Sequence, residues 1–125
     1  MSERNERNGR GGPAFVAGCP SCDTRVATDE PNEVVAFQRR HRAITGHDAE
    51  MERAELSVDG VPEEGGVEAV VRAIQPSFDR GVPLGVVAAA MSRRGATVGE
   101  TLEAVHEARM RGALYEPRDD HLGAV

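Results

Sequence analysis

The chain has 125 residues, room for one ordinary domain or two very small ones, and it contains three Phe, one Tyr and no Trp. A large aromatic core is therefore excluded, and a module with so small a core usually needs additional stabilisation, for example from a bound metal ion. The formal net charge of −6 argues against a protein that coats nucleic acid by charge alone.

All 15 basic residues are arginine. An acidic surface without lysine stays hydrated in concentrated salt, so this composition favours a salt-loving archaeal (haloarchaeal) origin. No apolar run approaches the roughly 20 residues that span a bilayer, and the polar N-terminus lacks the apolar core of a signal peptide. We therefore expect a cytoplasmic protein without membrane contact, in which a Cys pair indicates metal ligands or a redox dithiol rather than a structural disulfide.

The first half of the chain predicts a ββα unit. A short apolar run precedes the Cys19–Cys22 turn and another follows it, which is typical of a hairpin. Asp29 is the expected helix cap, Pro31 suits the first turn, and Gly46 supplies a stop. In chain order we expect a disordered tail at 1–13, strands at 14–17 and 25–28, a helix from 29 to about 45, and a weakly patterned strand at 52–58.

The second half predicts three helices and a hairpin, which together form a winged helix-turn-helix. Apolar residues recur at helical spacing from Val67 to Ile74, Pro83 opens a second helix, and the capping-box pair Thr97 and Glu100 opens a third. The Gly-rich segment 59–66 is a linker by composition. The expected fold class is thus α+β, with a zinc-finger-like ββα module at 14–58, the linker at 59–66 and a winged-helix domain at 67–125 that folds alone.

Four residues carry the pattern C-x2-C-x18-H-x5-H: Cys19, Cys22, His41 and His47. Thiolates and imidazoles are the donors that tetrahedral Zn²⁺ takes, and the Gly46 break can return the second histidine to the site. These residues predict one structural Zn²⁺, because four protein ligands leave no open position for catalysis. A redox dithiol and ordinary surface histidines remain the alternatives.

Two segments of the chain resemble known protein families. Residues 14–47 resemble two-Cys two-His zinc fingers, although the 18-residue gap is longer than usual, and they are similar to small CPxC zinc proteins of salt-loving archaea. The run Arg111–Arg118, with its Tyr-Glu-Pro-Arg ending, resembles the wing of the C-terminal winged helix in archaeal minichromosome maintenance helicases. The ATPase motifs of those helicases are absent, so the resemblance implies only an accessory domain over residues 67–125.

Arginines are the candidate contacts to nucleic acid, because a guanidinium can bind phosphates and base edges in a bidentate manner. An equally good interpretation is a solvated face whose arginines pair with neighbouring acids. The acids Glu100, Glu103 and Glu107 on the third helix also repel phosphate. The candidates are Arg39, Arg40 and Arg42 around the first histidine, and Arg93, Arg94 and Arg118 in the second half.

No motif in the sequence indicates an enzyme or a small-molecule substrate, since there is neither a phosphate-binding loop nor a nucleophile elbow. The leading hypothesis is a zinc-binding, nucleic-acid-associated regulatory protein of transcription or replication. The alternative is a non-catalytic protein–protein adaptor of the same apparatus.

Overall fold

The computed structural model describes residues 12–125, so the tail predicted at 1–13 lies almost entirely outside the described residues. The fold class is α+β, as predicted, with a ββα unit followed by helices and a second small antiparallel sheet. None of the helices between residues 12 and 125 is long and apolar enough to cross a membrane. The strands are β1 (Phe15–Gly18), β2 (Arg25–Thr28), β3 (Glu50–Ala54), β4 (Val82–Pro83), β5 (Leu114–Arg118) and β6 (His121–Ala124); the helices are α1 (Pro31–Thr45), α2 (Val67–Ile74), α3 (Leu84–Ser92) and α4 (Val98–Met110), with a 3₁₀ turn at Gln75–Ser77.

The first sheet has the order β2-β1-β3, and both pairings are antiparallel. Helix α1 ends where expected, with Gly46 in the left-handed conformation at φ 79°. Its cap is Glu30 and not the predicted Asp29, because the Asp29 carboxylate accepts a hydrogen bond from the Ala14 N–H (2.9 Å). The third strand begins and ends earlier than the predicted range 52–58.

The second half has the element order of a winged helix: a helix, a short strand, two helices and a hairpin. The capping box of Thr97 and Glu100 is present at the start of α4. The sheet order is β4-β6-β5, with Val82 opposite Leu122. Strand β4 was not predicted, because two residues are too short for a period-2 pattern to be seen.

The two halves share a hydrophobic core despite the linker between them. One buried cluster joins Phe15, Val34 and Phe37 of the first half to Ala88, Ala89 and Val98 of the second. The linker contacts the second half of the protein, where the Arg94 guanidinium donates a hydrogen bond to the Gly65 carbonyl (2.6 Å). The domain ranges stay a prediction, but residues 66–125 alone would expose the face of α3 that α1 buries.

The two halves approach each other closely at Gly85. The Gly85 N–H donates to the Asn32 side-chain carbonyl (2.7 Å), and the amide of Asn32 donates to the Asp120 carbonyl (3.0 Å). A Cβ atom placed at Gly85 would lie 2.0 Å from the Pro31 carbonyl oxygen. The start of α1 is thus seated directly on α3, and only glycine leaves room for it.

Candidate metal centre

A tight turn and a helix bring four donor side chains to one point. The turn after β1 is closed by the hydrogen bonds Cys22 N–H to Cys19 O (3.3 Å) and Cys19 N–H to Thr24 O (3.1 Å), so both thiols face the same side. His41 lies in the last turns of α1, and His47 follows the break at Gly46. The donor atoms of all four residues lie within 4.8 Å of one another.

The separations suit a tetrahedral zinc ion. The two sulfur atoms are 3.3 Å apart, too far for a disulfide bond, whose length is about 2.05 Å. Cys22 Sγ lies 3.3 Å from His41 Nε2, and His47 Nδ1 lies 3.6 and 3.7 Å from the two sulfurs. Metal–ligand bonds of about 2.3 Å to sulfur and about 2.0 Å to nitrogen place such donors about 3.6 Å apart around one ion. The donor set and its spacing therefore fit.

The surroundings of the cluster hold the histidines in place. The Phe37 ring stacks on the His41 imidazole with centroids 5.5 Å apart and an angle of 15°. The Thr45 hydroxyl donates to the His41 carbonyl (2.8 Å) and accepts from the His47 N–H (3.0 Å). Cys19 and His41 are buried, Cys22 is half-buried and His47 is exposed. The cluster therefore lies at the surface with its inner ligands fixed by packing.

The protonation of the Cys22 thiol depends on the neighbouring Cys19. The hydrogen bond that Cys22 donates to Cys19 raises the pKa of the Cys22 thiol, and desolvation and the charge of Cys19 raise it further. Nearby positive charge favours the thiolate, so a bound metal ion would reverse this effect and release the proton. The cluster can hold one cation through four protein donors.

The segment that follows His47 ties this centre to the start of α4. The buried side chain of Gln38 donates to the Asp48 carboxylate (3.1 Å) and accepts from the Ala49 N–H (2.7 Å). In turn the Val98 N–H donates to the Ala49 carbonyl (3.0 Å), and the Thr97 hydroxyl donates to Asp48 (3.3 Å). Sequence reasoning missed this contact, because no local pattern reports a pairing between residues 49 positions apart.

Thr97→Ala tests this contact. The hydroxyl of Thr97 accepts a hydrogen bond from the Glu100 N–H (3.0 Å) and donates one to Asp48. Its loss therefore removes both the cap of α4 and a hydrogen bond between the two halves. We expect the free energy of unfolding to fall by about 1–2 kcal/mol in chemical denaturation. The matched control Ser57→Ala removes an exposed hydroxyl and should change it by no more than about 0.5 kcal/mol. Equal effects of the two substitutions would contradict the assigned contact.

Half of the candidate phosphate-binding arginines are engaged within the protein. Arg39 pairs with Asp120 (3.0 Å), and Arg42 pairs with Asp48. The Arg94 guanidinium binds linker carbonyls, as described above. Within residues 12–125, the remaining candidates form no ion pair; they are Arg40, Arg93 and Arg118.

Two family models match the chain. The model described as HVO_B0008 N-terminal matches residues 16–53, and the model described as HVO_B0008 C-terminal domain matches residues 72–122. Each half of the chain is therefore similar to one of the two HVO_B0008 domains. The first matched range includes all four candidate ligands, and the second begins within α2 and ends within β6.

The HVO_B0008 domains bear a Haloferax designation, which agrees with the salt-loving archaeal origin that the composition favours. No curated protein and no solved structure matches the chain. The resemblances to zinc fingers and to the helicase wing therefore stay predictions.

Proposed function

We propose that the protein is a non-catalytic adaptor in which one structural Zn²⁺ holds the N-terminal domain together, and that its partner in the transcription or replication apparatus is a protein. The observation that carries this proposal is the contact at the start of α4. The Asp48–Ala49 segment contacts the N-terminal end of α4. A winged-helix protein that reads DNA would insert this end of the helix into the major groove.

A helix-turn-helix protein reads the major groove with the N-terminal residues of its recognition helix. In the winged-helix order of elements that helix is α4. Its first N–H is bonded to Ala49, and a Cβ at Gly99 would lie 2.4 Å from the Asp48 carboxylate. The Asp48–Ala49 segment at this place excludes a DNA backbone by its volume. Protein binding needs no such insertion, so it is the better-supported role.

A structural role for the zinc ion follows from the number of its ligands. Catalytic zinc keeps one position open for water or substrate, and here two thiolates and two imidazoles fill all four positions. Burial of Cys19 and His41 agrees with an ion that stabilises the fold around it. The proposal therefore includes no reaction.

Nucleic-acid association is the second candidate. It is favoured by Arg40, Arg93 and Arg118, which are exposed and have no ion pair within the described part of the chain. Such contacts would be to phosphates and would not need α4 in a groove.

Fluorescence anisotropy with a labelled duplex, measured over a salt series, separates the two candidates. We expect no saturable binding even at the lowest salt that keeps the protein folded. Saturable binding with a steep salt slope, flattened by about one unit for each substitution in Arg40/Arg93/Arg118→Ala, would overturn the adaptor proposal. The control Arg72→Ala removes another exposed arginine and should leave any slope unchanged.

A further inference from the structure

A shallow groove of about 570 Å³ runs between α1 and α4. Its rim carries Arg39 and Arg42 on one side and Glu103 and His106 on the other, with Leu102 and Ala43 between them. We propose that this groove binds a basic amphipathic helix of the partner protein. The inference rests on the adaptor function proposed above and names the class of partner.

The charge on the rim of the groove that is not paired within the protein is negative. Arg39 and Arg42 form the ion pairs described above, and Arg109, which lines a neighbouring pocket, pairs with Glu116 (2.8 Å). Glu103 forms no ion pair with any residue between 12 and 125. The rim arginines are thus neutralised internally, while the rim glutamate is not.

The acidic side chains of α4 are arranged as a ridge beside the groove. Glu100, Glu103 and Glu107 are all exposed, and their spacing of three and four residues places them on one face of the helix. A bound segment lying along α4 would therefore meet negative charge over about two turns. A phosphate backbone would be repelled, whereas a row of arginines would be attracted.

The floor of the groove is apolar and lies between two helices. Leu102 is half-buried and packs against both hydrophobic clusters, Ala43 is exposed, and Gly99 adds no side chain. Grooves of this kind take amphipathic helices, whose apolar residues at i, i+3 or i+4 and i+7 enter the floor. A basic amphipathic helix fits both the apolar floor and the acidic ridge. Its apolar residues would contact Leu102 and Ala43, and its arginines would lie toward Glu103 and Glu107.

The test uses the full-length, zinc-loaded protein and a designed, fluorescein-labelled Leu/Arg amphipathic helix of about four turns, read by anisotropy. A Leu/Glu peptide with the same leucine pattern is the control probe. We expect saturable binding of the Leu/Arg peptide only. Ala43→Arg places bulk and like charge in the groove and should weaken binding at least about tenfold. Glu103→Arg/Glu107→Arg should do the same.

Matched variants distinguish groove binding from attraction to an acidic protein. Ala73→Arg adds the same side chain at an exposed position of α2, and Asp59→Arg/Asp79→Arg reverses two exposed acids outside the groove. These variants should bind the peptide as the unmodified protein does. Equal weakening by test and control variants, or no peptide binding at all, would overturn the inference. Either result would leave the adaptor proposal standing if the labelled duplex also fails to bind, whereas duplex binding would end both.

Discussion

Gly85→Ala is expected to lower the free energy of unfolding by about 3 kcal/mol or more. In an unconstrained helix the same substitution would stabilise by about 1 kcal/mol, because alanine is the better helix former. Here the new Cβ would lie 2.0 Å from the Pro31 carbonyl oxygen and 2.2 Å from its carbon. Both are backbone atoms at the start of α1, so they cannot move aside without separating α1 from α3.

Chemical denaturation of the zinc-loaded protein measures this effect, and Gly66→Ala is its matched control. The Cβ at Gly66 would meet only the flexible carboxylate of Glu68, at 3.0 Å. Gly66 is an N-cap, where replacing glycine by alanine costs about 0.5–1 kcal/mol. A Gly85→Ala protein as stable as the Gly66→Ala protein would show that the two halves do not pack as described.

Cys22→Ser is expected to release the metal ion and unfold the N-terminal domain. Structural zinc sites supply about 10–16 kcal/mol of apparent binding free energy at neutral pH, far more than a small core can replace. Hydrogen exchange should show loss of protection in β1, β2 and α1. The first turn of α4 should lose protection as well, because its Val98 N–H bonds to Ala49 beside the site.

His47→Ala should act as Cys22→Ser does, whereas His106→Ala is the control. Both histidines are exposed, but only His47 has a ring nitrogen near the two sulfurs. Full zinc content and unchanged hydrogen exchange in the His47→Ala protein would show that His47 is not a ligand. Reduced zinc in the His106→Ala protein would place the ion elsewhere.

Features with a local cause could be predicted from the sequence. Pro31 and Gly46 bound α1, and Thr97 with Glu100 opens α4, because each acts through its own backbone or that of near neighbours. The metal cluster was also predictable, since a Cys pair and a His pair at these spacings are typical of zinc ligands.

Features that depend on distant residues could not be predicted. The ion pair of Arg39 with Asp120 and the contact of Gly85 with Pro31 join positions that no periodicity relates. The cap at Glu30 displaced Asp29 because the carboxylate of Asp29 is bonded to the hairpin. The separate modules predicted on either side of the linker at 59–66 stay a prediction, and hydrophobic residues from both sides of it form one cluster.

Native mass spectrometry of protein purified without chelators tests the central claim most directly. The spectrum should show one zinc ion per chain, held through Cys19, Cys22, His41 and His47, and a mass lower by that ion for the Cys22→Ser protein after correction for the substitution. Substoichiometric zinc in the unmodified protein, or the same zinc content in both proteins, would contradict the account.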